Sequence, residues 1–119
     1  MSGNRIITEP IAVAPGCGLA GPGLYDAEGV NSWRLHVDDA HARSQSIVAQ
    51  LWHPFAAEAL DTDAQEALVD AFRVAAEGAS DAGFDGVALV ESPRLTHPCR
   101  EQVLEALVAV WGASRVGQR

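Results

Sequence analysis

The run Ser46-Ile47-Val48-Ala49-Gln50-Leu51-Trp52-His53 ends an apolar stretch with a carboxamide, an indole and an imidazole in close succession. A carboxamide among apolar neighbours must find hydrogen-bond partners, so Gln50 either meets a substrate or locks onto backbone. Trp52 offers a flat face on which an unsaturated molecule could stack, or else it fills core. His53 is a candidate acid or base at the mouth of that segment, although lone histidines also serve as surface or capping residues. Glu91 directly follows the apolar run Gly86-Val87-Ala88-Leu89-Val90, at the end where α/β domains gather their ligands. It suits proton transfer if buried and is a solvated loop carboxylate otherwise. Tyr25 either closes the site from a loop or staples the helix that begins after Asp26.

Other reactive side chains point away from chemistry. His36 and His41 are five residues apart on one helix, not the three or four that bring two ligands to one face, so no metal site is expected. Cys17 and Cys99 have no base beside them in sequence, are too few for a disulfide framework, and read as inert reduced thiols. His97 beside Pro98 reads as a helix cap. Gly16 and Gly18 precede a loop rather than a helix N-terminus, which rules out a dinucleotide fingerprint there.

The elements that must position these groups alternate. Arg5-Ile6-Ile7-Thr8-Glu9 is a β-branched strand ended by Pro10, and residues 15–23, with four Gly and two Pro, form a loop over one end of the sheet. Asp26 caps a helix from Ala27 to Arg43 whose inner stripe is Val30, Trp33, Val37 and Ala40. Residues 46–52 form a strand covered on both sides. Thr62 and Gln65 have capping-box spacing ahead of a helix whose stripe is Leu68, Val69, Phe72, Ala75, Ala76 and Ala79, stopping at Gly83. Residues 85–90 are the third strand. Pro98 opens a third helix with Val103, Leu104, Leu107, Val108 and Trp111 inward, and residues 115–118 form a terminal strand.

Strand-then-helix units imply parallel pairing through right-handed crossovers. The fold class is therefore α/β, one domain over residues 1–119, with about four parallel strands and three helices; that is too few to close a barrel alone. With 48% hydrophobic and 20% charged residues the chain is a globular one. Sixteen acidic residues against eight arginines, a formal charge of −8, exclude nucleic acid and anionic membrane surfaces as partners. No apolar run approaches the roughly 20 residues of a membrane span, and a cytoplasmic location is expected.

Taken together, Ile6-Ile7-Thr8-Glu9, Pro22-Gly23-Leu24-Tyr25, Trp33-Arg34, Val37-Asp38-Asp39-Ala40-His41-Ala42, Gln50-Leu51-Trp52-His53, Ala82-Gly83-Phe84-Asp85-Gly86-Val87 and Arg115-Val116-Gly117-Gln118-Arg119 resemble the old yellow enzyme family in order and spacing. The resemblance implies part of a (βα)8 barrel, a half-barrel truncated relative to the family, which binds FMN at the C-terminal ends of its strands and reduces activated alkenes by hydride transfer. It also implies that Gln50 lies where relatives hold the flavin pyrimidine edge and Arg119 where they touch the ring.

The family's catalytic positions have changed. Where it carries His, then His or Asn, then a proton-donating Tyr, this chain has Val90, Pro93 and Leu95, whose side chains neither hydrogen-bond a carbonyl nor deliver a proton. The expectation is a flavin-independent enzyme of specialised, polyketide-type metabolism. It would promote cyclisation, such as a four-plus-two cycloaddition, or isomerisation of an unsaturated small molecule. Gln50, Trp52, His53 and Glu91 form the catalytic set, and Thr8, Tyr25, Val90, Leu95 and Arg119 bind the substrate. No cofactor is expected; the alternatives are a small FMN-dependent ene-reductase and a non-catalytic scaffold. Unpaired edges and an apolar rim point to a homodimer that completes the barrel.

Overall fold

Parallel pairing holds together a four-stranded sheet in the order β1-β2-β3-β4. The computed structural model describes residues 4–14, 21–53, 61–90 and 99–118. Strands β1 (Arg5–Ala12), β2 (Ser46–Trp52), β3 (Gly86–Leu89) and β4 (Val116–Gln118) alternate with helices α1 (Ala27–Ala42), α2 (Thr62–Ala82) and α3 (Cys99–Trp111). This is the expected α/β partial barrel, with a strand order equal to the chain order. Each right-handed crossover drops its helix on the same side of the sheet.

That one-sidedness is visible in the packing. Ile11, Ile47, Ala49, Leu51, Val87 and Leu89 join Phe72, Ala75, Ala79, Val103 and Leu107 in a single buried cluster between sheet and helices. Side chains alternate along a strand, so the opposite face carries Ile7, Val48, Gln50, Trp52, Gly86, Ala88 and Gly117. Val48 and Ala88 are buried there but stand apart from the helix-side cluster.

Local chemistry sets the helix ends. Asp26 Oδ1 accepts the Gly29 N–H at 2.8 Å and starts α1, as the sequence indicates. For α2 the cap is Asp61, whose Oδ1 accepts the Ala64 N–H at 2.8 Å; the Thr62–Gln65 capping box does not form, because Thr62 is already helical. Gly83 ends α2 with φ +92°, a left-handed conformation that costs glycine nothing.

Three further expectations change. Pro10 does not end β1: the strand runs on to Ala12, with a register slip between Ile7 and Pro10. Two residues, Thr8 and Glu9, face one on β2, and such a bulge on an edge strand tolerates a residue lacking an N–H. Val108 is not an inner residue of α3 but 38% exposed, with the core side of that helix held by Val103 and Leu107. Arg115 belongs to a 3-10 turn, Ala113–Arg115, that leads into β4 rather than to the strand itself. The 15–23 loop is described only from residue 21, where Leu24 N–H donates to Ala12 O at 3.2 Å and ties the chain back to the end of β1.

Candidate functional site

The bulge in β1 determines how the face opposite the helices is furnished. Pairing places Pro10, Gln50, Ala88 and Gly117 in one row across all four strands, with Ala12 and Trp52 in the row beyond. Within the row Gln50 is the one residue with a polar side chain, and neither row contains a charge. In a chain of net charge −8, this is a selectively apolar surface with a single amide in it.

Gln50 is gripped by Thr8. Its backbone N–H donates to Thr8 Oγ1 at 3.1 Å and its side-chain Nε2 donates to Thr8 O at 2.5 Å, while the Thr8 hydroxyl donates to Glu9 O at 2.8 Å. Of the two sequence alternatives for Gln50, the backbone lock is therefore formed. It uses one of the two Nε2 hydrogens and neither lone pair of Oε1. Thr8 is 8% exposed, the one buried polar residue among those described.

Trp52 ends β2, half-buried, and its carbonyl accepts the Val13 N–H at 3.3 Å. His53 follows it at the rim, where burial lowers its pKa from the ordinary histidine value of 6.5 and keeps the imidazole neutral. Val90 N–H donates to Leu51 O at 3.1 Å, which places Val90 at the same strand ends. The structure thus gathers Thr8, Gln50, Trp52, His53 and Val90 along the C-terminal half of one sheet.

Tyr25 lies against Gly23, where a Cβ would meet the ring and stand 3.0 Å from Ala12 O at the end of β1, and it lines a groove between α1 and α2 with Asp26, Val30, Arg34 and Gly78. Glu91, Leu95 and Arg119 lie outside the described residues, as do His97, Cys17 and Pro93, and so does the side chain of Cys99. Pro10, directly opposite Gln50, was missed by the sequence reading; a proline inside a β-branched run is itself the signal of an edge bulge.

At the N-termini of α1 and α2 the carboxylates of Asp26 and Asp61 each accept one first-turn N–H, from Gly29 and Ala64. Among the described residues no cluster of three metal-ligating side chains occurs, and no helix is long and apolar enough to cross a membrane.

No protein-family model matches the chain. A putative 12-oxophytodienoate reductase 9 from Oryza sativa subsp. japonica is 32% identical over 96 residues, covering 60% of this chain and 23% of that protein. Among solved structures, a variant of NCR from Zymomonas mobilis superposes with a TM-score of 0.88 at 27% identity, over 97% of this chain and 42% of that one. The Old Yellow Enzyme from Pichia sp. AKU4542 superposes with a TM-score of 0.82 at 19% identity, over 98% of this chain and 46% of that one, a likeness of fold. The chain thus spans less than half the length of each of these relatives.

Proposed function

We propose, for a chain homologous to the old yellow enzymes over a four-stranded part of their barrel, that the face bearing Gln50 and Trp52 receives an unsaturated small molecule. On this reading it promotes cyclisation or isomerisation of that molecule without a redox cofactor. The observation that carries the reading is the Gln50 carboxamide, held by Thr8 on a surface otherwise free of polar side chains in its row. A lone fixed amide in an apolar setting orients one carbonyl and leaves the rest of a hydrocarbon skeleton to dispersion contacts.

A four-plus-two cycloaddition is the concrete case. It exchanges π bonds for two carbon–carbon σ bonds, neither gains nor loses electrons, and requires no nucleophile. Holding diene and dienophile close and aligned supplies the acceleration. Trp52 stacks on the polyene, and the second Nε2 hydrogen of Gln50 polarises the activating carbonyl. For double-bond migration the neutral imidazole of His53 accepts the proton and returns it.

A second copy of the chain supports this site. β1 and β4 are both outer strands of the sheet, and a groove of about 410 Å³ runs along β1 between Ile6 and Trp33. Two copies bring eight parallel strands, the number with which such barrels close. Light scattering coupled to size exclusion should give the mass of a homodimer; a monomer at micromolar concentration removes this part of the reading. We place the reaction in the cytoplasm.

The decisive experiment incubates purified protein with a conjugated polyenone and follows loss of the conjugated chromophore with product analysis by mass. An isomeric product of unchanged mass, formed more slowly by Gln50→Ala and Trp52→Ala, supports the reading. Equal rates in both variants defeat it. Homology to reductases favours one rival, an FMN-dependent ene-reductase. It predicts a yellow protein absorbing at roughly 450 nm, since the bound flavin carries the chemistry, and a product heavier by two hydrogens.

A further inference from the structure

We infer that Thr8 is a positioning residue for Gln50 and not a ligand of the substrate; this rests on the reading above that Gln50 meets the substrate. The hydroxyl of Thr8 has one hydrogen, and it is spent on Glu9 O at 2.8 Å. One of its lone pairs takes the Gln50 backbone N–H at 3.1 Å. Nothing of the hydroxyl that could donate to a ligand remains.

The arrangement follows from the bulge. Between Ile7 and Pro10 the register slips, so the regular parallel ladder presents no backbone carbonyl at the place where the Gln50 N–H points. The Thr8 side chain substitutes for that acceptor. The carbonyl of the same residue then receives Nε2 of Gln50 at 2.5 Å. One residue of β1 therefore holds both the main chain and the side chain of Gln50.

The orientation of the carboxamide follows as well. Reversing it would set Oε1 against Thr8 O, two acceptors face to face, so the nitrogen must lie on the Thr8 side. Oε1 and the second Nε2 hydrogen are then presented together, preset before any ligand arrives. Pro10 contributes by having no N–H to compete for these groups.

Nuclear magnetic resonance of the whole chain labelled with ¹⁵N tests the inference. The Gln50 side-chain pair is assigned by its loss in Gln50→Leu. In the native protein it should appear as two well-separated resonances exchanging with solvent roughly tenfold more slowly than a free glutamine amide, because the bond must open first. Thr8→Val keeps the shape and removes the hydroxyl that accepts the Gln50 main-chain N–H; that main-chain amide should then exchange roughly tenfold faster, and Thr8→Ser should restore its protection. A folded Thr8→Val with an unchanged Gln50 main-chain amide overturns the proposal. Should Thr8→Val not fold, the native exchange rate decides, with free-glutamine behaviour overturning the proposal and slowed exchange shared by Thr8→Ser upholding it.

Titration with cyclohexenone, followed by tryptophan emission, separates this inference from the reading it rests on. Weaker binding in both Thr8→Val and Gln50→Leu, recovered in Thr8→Ser, supports both. Binding unchanged in Gln50→Leu sinks the substrate-contact reading, while the resonance data still judge the positioning role by themselves.

Discussion

His41 and Asp85 meet at the foot of the sheet, Nε2 to Oδ2 at 2.8 Å, and the same carboxylate oxygen accepts the Ile47 N–H at 2.8 Å. Asp85 N–H returns a bond to Ile47 O at 2.9 Å, so one aspartate joins the end of α1, the start of β2 and the start of β3. The two contacts are not equivalent. The His41–Asp85 contact is about 40% exposed on both sides, where even a charged pair contributes under about 1 kcal/mol. The Ile47 N–H is part-buried, and leaving such a donor empty costs about 1–3 kcal/mol. Urea unfolding should therefore find Asp85→Ala clearly more destabilising than His41→Ala. Equal losses would mean that the His41–Asp85 contact dominates.

Gly78 sits inside α2 with its Cα against the segment that leads into α1. A Cβ there would stand 2.6 Å from Leu24 O and 3.1 Å from Val30 Cγ2. Helix propensity alone favours alanine by about 1 kcal/mol, but overpacking against a backbone carbonyl costs about 1–3 kcal/mol. Gly78→Ala should lower Tm by several degrees. A raised Tm would show that the Leu24 segment yields freely.

Trp52 separates stacking from simple filling. Trp52→Phe keeps an aromatic face and should bind cyclohexenone within about threefold of the native protein, whereas Trp52→Ala loses the stacking contribution of about 0.5–1.5 kcal/mol. Isothermal titration resolves the two. Equal affinities for Phe and Ala variants argue that Trp52 is core.

Burial lowers the pKa of His53 below 6.5. The unfolded imidazole takes its proton first as pH falls, so the unfolded state binds more protons across the window beneath 6.5. Stability contributed by the neutral ring is complete above that value, declines as pH drops through the window, and levels once the folded group is protonated too. Denaturant midpoints measured between neutral and mildly acidic pH should decline less for His53→Gln than for the native chain. Identical declines would assign the pH dependence to other groups.

Most elements are readable in the sequence because each carries its own punctuation. Asp26 before an apolar stripe, Gly83 after one, and the nearly continuous apolar run at β2 are local signals, and the structure keeps all three. Pairing is not local. Pro10 reads as a stop until β2 is set beside it, and only then does the two-against-one register show a bulge. Asp61 rather than Thr62 caps α2 because both are competent and the backbone chooses between neighbours one residue apart. Gln50 carried two alternatives for the same reason: its partner, Thr8, lies 42 positions away, and no spacing rule connects them.

The indole N–H of Trp33 donates to Pro22 O at 2.9 Å and that of Trp111 to Ala76 O at 2.9 Å. Two of the three indoles are thereby anchored in the helical layer, leaving the third at the strand ends beside Gln50. The molecule carries its own optical probe: a small unsaturated quencher bound beside Gln50 should dim the emission of Trp52. Its saturation curve would then report occupancy of that side without any label.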